Sequence, residues 1–91
     1  MKVRYDPDFF PLYKKANVRI QNAFDRKLRI FMRDPLDVEL RNHKLKREWE
    51  GYRSIDITAD CRAIYKEIEI GEEIIAYFVA IGTHDELYSS G

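Results

Sequence analysis

His43 and His84 are the only histidines in this sequence of 91 residues, and histidine is the side chain best placed to exchange protons near neutral pH. Each stands beside a predicted strand end rather than on a helix face. Two histidines, or a histidine and a carboxylate, suffice to deprotonate a ribose 2′-hydroxyl and protonate a leaving 5′-oxygen. Cations nearby would neutralise the charge growing on the phosphate, and Arg41, Lys44, Lys46 and Arg47 fall within seven residues around His43. The same residues have plainer readings. Such a charge cluster also suits a solvated connection between elements. Thr83 and Glu86 form a T-x-x-E capping box around His84, which explains everything there except the histidine. Asp60 is a favoured hairpin-turn residue as well as a candidate carboxylate. Tyr88 and Trp49 offer faces on which unpaired bases stack, although Trp49 is expected to cover the core edge.

Other chemistries find less support. His43, Cys61 and His84 are far apart, and no paired-ligand spacing such as C-x-x-C or H-x-x-x-H occurs, so no metal and no cofactor are expected. Cys61 has no evident activating partner, and phosphate loops and dinucleotide fingerprints are absent. A single cysteine precludes an internal disulfide and suits a reducing compartment. With no apolar leader in the first residues and no run of membrane-spanning length, a soluble, cytoplasmic protein without a membrane partner is expected. The net charge is zero, but residues 1–50 carry 13 Lys/Arg against 8 Asp/Glu, and residues 51–91 carry 3 against 8. Phosphate binding depends on the local cluster, because each contact releases a condensed counterion whatever distant charges do.

The elements that must position these residues follow from periodicity. Lys2 to Tyr5 alternates and predicts an edge strand. Asp8 predicts a helix cap, with Pro11 tolerated in the first turn of a helix that carries Phe9, Phe10, Leu12 and Tyr13 and ends near Asn17. Ile20, Phe24, Leu28 and Phe31 form one stripe of a second helix, which Asp34-Pro35 stops. A short strand is predicted near His43-Lys44-Leu45. Ile55 and Ile57 alternate with Ser54, Asp56 and Thr58, Ala59-Asp60 turns the chain, and Ala63-Ile64-Tyr65 returns it. Gly71 marks the next turn. Ile74 to Ile81 is apolar on both faces, as expected of a covered central strand. The prediction is one α+β domain over residues 1–91, with two N-terminal helices packed on a small antiparallel sheet.

At this level the chain resembles a known family. Asn42-His43-Lys44-Leu45-Lys46, Gly51-Tyr52-Arg53-Ser54-Ile55-Asp56-Ile57, Arg62-Ala63-Ile64-Tyr65-Lys66 and Ile81-Gly82-Thr83-His84-Asp85-Glu86-Leu87-Tyr88 together are similar to the YafQ branch of the RelE/ParE toxins. The resemblance implies a ribosome-dependent mRNA interferase whose partners are a cognate antitoxin and a ribosome with mRNA in its A site. It implies catalytic roles for His43, Asp60 and His84. Lys44, Lys46, Arg47, Arg53, Cys61 and Tyr88 are the expected RNA-binding set. Cys61 is expected to face the RNA because its neighbour Asp60 must. Some positions depart from the branch: Asp56 replaces a histidine, Cys61 a tryptophan and Arg47 a glycine, and the net charge is not basic. The competing expectations are a ParE-like toxin that inhibits DNA gyrase and an inactive remnant that only binds antitoxin.

Overall fold

The computed structural model describes residues 1–88. In chain order the elements are β1 (Lys2–Tyr5), α1 (Phe9–Lys15), α2 (Val18–Arg33), β2 (His43–Lys44), β3 (Arg53–Asp56), β4 (Cys61–Ile70), β5 (Glu73–Thr83) and α3 (His84–Tyr88), with 3-10 turns at Val38–Leu40 and Arg47–Trp49. This is an α+β fold with one five-stranded sheet in the order β1-β5-β4-β3-β2. The pairings among β2, β3, β4 and β5 are antiparallel, as expected. That of β1 is not, because it lies parallel to β5 with Lys2 opposite Ile75 and Tyr5 opposite Phe78.

The two long helices form where their caps and stripes require. Asn17 caps α2, its Oδ1 accepting from the Ile20 N–H at 2.9 Å. Asp8 holds the cap position of α1, but its side chain caps nothing. Asp6 takes that role instead, with its Oδ1 accepting from the Asp8 N–H at 2.9 Å and its carbonyl from the Phe9 N–H. The stripe of α2 buries Phe24 and Phe31, which meet Phe9, Tyr65 and Phe78 in an aromatic core with ring centroids 5.0 to 6.1 Å apart along its shortest links. Emptying such a site, as in Phe31→Ala, costs about 3–5 kcal/mol. On β5, Ala76 and Phe78 are fully buried in this core, while Tyr77 and Val79 are half-buried. Ile75 and Ala80 are also buried, outside the core cluster, so the strand is covered on both faces over most of its length, with Ile74 near its start exposed.

The β3–β4 hairpin sorts its side chains by the two-residue period of a strand. Ile55, Ile57, Cys61 and Ala63 belong to the core cluster. Asp56 lies directly opposite Arg62, and Arg62 opposite Gly82, in one row across the sheet. At the sheet's far edge His43 pairs with Ser54. The two-residue β2 is anchored by Asn42, whose amide donates to the Tyr65 hydroxyl at 2.8 Å and the Pro35 carbonyl at 2.9 Å. The same Asn42 accepts from Arg53 Nε at 2.8 Å.

Candidate active site

An open cleft of about 360 Å³ is lined by Arg41, His43, Leu45, Ser54, Asp56, Arg62, His84 and Tyr88. Residues far apart in sequence meet there because β2, β3, β4 and the start of α3 end at the same side of the sheet. His43 is exposed, and its Nδ1 lies 2.9 Å from the backbone carbonyl of Arg41. A carbonyl only accepts, so this bond requires the proton on Nδ1 and leaves the lone pair of the neutral ring on Nε2. Arg41 aims that carbonyl from a left-handed conformation, φ 48°, which costs a residue other than glycine roughly 1–2 kcal/mol.

His84 begins α3. The capping box forms as the sequence requires, with the Thr83 N–H donating to Glu86 Oε1 at 2.7 Å and the Glu86 N–H to Thr83 Oγ1 at 3.2 Å. Gly82 makes room for it, since a Cβ there would lie 3.1 Å from Glu86 Oε1 and 3.3 Å from its Cβ. Trp49 ties down the other end of α3 by donating from its indole nitrogen to the Leu87 carbonyl at 3.1 Å. The Tyr88 ring lies 4.7 Å from the His84 ring and tilted to it. The Asp85 carboxylate reaches within 4.0 Å of His84 Nδ1.

The carboxylate in this cleft is Asp56, held by Arg62 Nε at 2.9 Å and Arg41 Nε at 3.6 Å. Asp60 is elsewhere. Its exposed position on the hairpin turn lines a neighbouring groove of about 700 Å³ with Trp49, Cys61, Glu86 and Leu87. Cys61, expected to face RNA, is buried at 4% exposure and packs in the core. Strand alternation decides this: Arg62 takes the cleft face, so Cys61 must point inward. Burial, followed by the nearby Glu86 charge, pushes its thiol up to about 11, which leaves it unreactive near neutral pH. Arg53 is half-buried and occupied by Asn42. Lys44, Lys46 and Arg47 are exposed on the segment that follows His43, outside the cleft.

Among the described residues, no three His, Cys, Asp or Glu side chains converge as a metal site would require. Nor is any helix of these residues long and apolar enough to cross a membrane. The sequence reading placed Arg41 in the basic cluster around His43 but missed Ser54, Asp56 and Arg62 as cleft residues. Strand parity was the available signal for Asp56 and Arg62, because both alternate with core residues in β3 and β4.

Residues 2–89 match the family model described as the bacterial toxin of type II toxin–antitoxin systems, YafQ. The chain belongs to the YafQ toxin family. Its fold is shared with solved toxins. YafQ from E. coli strain BL21(DE3) superposes with a TM-score of 0.76 at 24% identity, covering 96% of this chain and 97% of that one. The YoeB/ParE toxin from Agrobacterium tumefaciens gives 0.72 at 23% identity, covering 92% and 99%. The E. coli DinJ–YafQ toxin–antitoxin complex gives 0.73 at 23% identity, covering 96% of each chain. At such identities these likenesses establish the toxin's fold and not its chemistry. No curated protein sequence matches it.

Proposed function

We propose that the toxin is a ribosome-dependent endoribonuclease that cuts mRNA by attack of a ribose 2′-hydroxyl on the adjacent phosphate. One observation carries this reading: both histidines line a single cleft with two arginines, and the carbonyl of Arg41 leaves His43 Nε2 free to accept a proton. In this scheme His43 is the general base. His84 is the general acid that protonates the departing 5′-oxygen, a division of labour that suits one proton taken and one returned. Arg41 supplies positive charge to the phosphate as negative charge develops there. The ring of Tyr88, beside His84, offers a stacking face for a base. Lys44, Lys46 and Arg47 form the approach surface for the RNA backbone, and the ribosome supplies the placement that so open a cleft lacks. Asp60 stands outside the proton-transfer pair in this reading, at the mouth of the next groove. The toxin acts in the cytoplasm, where its ribosomal substrate is, and a cognate antitoxin holds it inactive, as the solved toxin–antitoxin complexes of similar chains suggest.

The test is a translation reaction with programmed ribosomes and purified toxin. Cleavage in the A-site codon is expected, leaving a 5′-hydroxyl and a 2′,3′-cyclic phosphate or 3′-phosphate. An mRNA with a 2′-deoxy sugar at the cleavage position is expected to resist. Efficient cutting of that substrate would overturn the 2′-hydroxyl mechanism, and an intact natural mRNA would overturn the nuclease reading itself.

A further inference from the structure

The two arginines of the cleft are held very differently. Arg62 is committed: its Nε binds Asp56 at 2.9 Å, and its Nη1 donates to the carbonyls of Thr58 at 3.0 Å, Ala59 at 3.0 Å and Cys61 at 3.2 Å. It staples the hairpin turn and is mostly covered, with 24% of its side chain exposed. Arg41 has 79% of its side chain exposed, and its one charged contact among the described residues is the 3.6 Å approach to Asp56 Oδ2. A long ion pair whose arginine end lies in solvent is weak and exchangeable, whereas a guanidinium facing phosphate gains short charge-assisted bonds. Ser54 lines the same cleft, and its buried Oγ has no hydrogen-bond partner among the described residues.

The geometry points to Arg41 as a phosphate-binding arm that rests on Asp56 and leaves it when a phosphate enters the cleft. Asp56 is then a specificity-determining carboxylate rather than a proton carrier. Its Oδ1 keeps Arg62 in the turn, and its Oδ2 is the resting partner that an incoming phosphate must displace. A ligand with enough phosphate charge draws the arm away, and a neutral one does not. The backbone of Arg41 meanwhile stays in place, because its carbonyl continues to hold His43 Nδ1. This inference deepens the nuclease reading and rests on it for the identity of the ligand.

Asp56→Asn separates the two contacts, because the amide oxygen still accepts from Arg62 Nε while the charge that holds Arg41 is gone. Two measurements on the full-length toxin are needed. In the first, inorganic phosphate is titrated while the Nε–H signals of Arg41 and Arg62 are followed by NMR. The Arg41 signal is expected to move and saturate, with a midpoint about two- to fivefold lower in Asp56→Asn, the scale of an exposed ion pair, while the Arg62 signal stays put. A stationary Arg41 signal, an unchanged midpoint, or movement of Arg62 instead would overturn the arm. In the second, binding to ribosomes carrying the 2′-deoxy mRNA is compared among the wild type, Asp56→Asn, Arg41→Ala and the double variant. Asp56→Asn is expected to tighten binding by a similar factor, and only where Arg41 is present. A gain that persists in the double variant would overturn the arm and leave the nuclease reading standing. If phosphate moves Arg41 but ribosomes and mRNA are not bound, the arm stands and the nuclease reading falls.

Discussion

The cleft of His43 and His84 and the groove of Asp60 and Cys61 lie close together, yet the chain builds them by opposite rules. The cleft gathers side chains from the solvent-facing rows of β2, β3 and β4, together with the first and last residues of α3. It is polar, and every charge in it has a counterpart or an exit to water. The groove runs between the start of α2 and the inner side of α3, over the buried Cys61 and Ile81. One residue step along β4, from Cys61 to Arg62, moves a side chain from one environment to the other. Neighbours in sequence therefore do not share a task here. Residues two apart do.

The strongest way to break this division is to remove its histidines. His43→Ala and His84→Ala are each expected to lower mRNA cleavage about a hundredfold or more, the scale for losing a general acid or base, with melting temperatures unchanged. Asp60→Asn is expected to lose less than about tenfold, since the proposed mechanism gives it no proton-transfer role. Equal losses from Asp60→Asn and the histidine variants, measured by single-turnover cleavage, would erase the distinction between the two cavities.

A smaller effect concerns the approach to the cleft. Reversing Lys44, Lys46 and Arg47 to Glu is expected to weaken ribosome binding. It should also reduce the slope of log affinity against log salt by up to about two, at roughly 0.7 per phosphate contact on single-stranded RNA. Reversal of Glu69, Glu72 and Glu73, at the far end of the β4–β5 hairpin, is expected to leave that slope alone. If both triples change it equally, the RNA does not come in past His43.

Cys61 sharpens the comparison from the other side. Cys61→Trp is expected to overpack the core at a cost of about 1–3 kcal/mol, a fall of roughly 4–8 °C in melting temperature per kcal/mol for a domain of this size. Tighter RNA binding without that fall would show the residue to be on the cleft side after all. A further effect is one of pH. The folded thiol ionises near 11 and the unfolded one near its ordinary 9.0, so burial of the neutral thiol adds stability below pH 9. That contribution is lost as pH rises from about 9 to about 11. The buried Tyr65 phenol is also raised by burial and titrates in the same direction. The signature is thus the difference between the wild type and Cys61→Ala in denaturant midpoints across that window. A constant difference would mean that the thiol is not buried.

Most of the scaffold could be read from the residues alone. The stripe Ile20, Phe24, Leu28 and Phe31, the stop at Asp34-Pro35 and the alternation around Ile55 and Ile57 each have a local physical cause, and each forms where expected. The direction of β1 did not have one, since an alternating tetrapeptide pairs equally well parallel or antiparallel. The cap at Asp6 was hidden because Asp6 and Asp8 are chemically alike, and only the path of the chain chooses between them. In the site, the two histidines stood out because histidine is rare and titrates in the right range. Arg41 stood out only as one of four cations around His43. What separates it from the other three is its place in the cleft, which depends on a left-handed backbone conformation that arginine does not favour. Asp60 and Cys61 were assigned from resemblance, position by position, where the parity of β4 would have sent Cys61 to the core.

The parallel pairing of β1 with β5 also has a bearing on timing. The first strand of the toxin finds its partner only at residues 75 to 78, so that edge of the sheet cannot close until the chain has been made through residue 78. Contacts this distant in sequence make closure slow, because the loop entropy is lost before the pairing compensates for it. The α3 residues that carry His84 come later still. A growing polypeptide would thus present its helices first and the completed cleft of His43 and His84 later. Chains stalled before residue 75 are expected to leave β1 open to protease while α2 is already protected. Early protection of β1 would show that the strand has some other partner during synthesis.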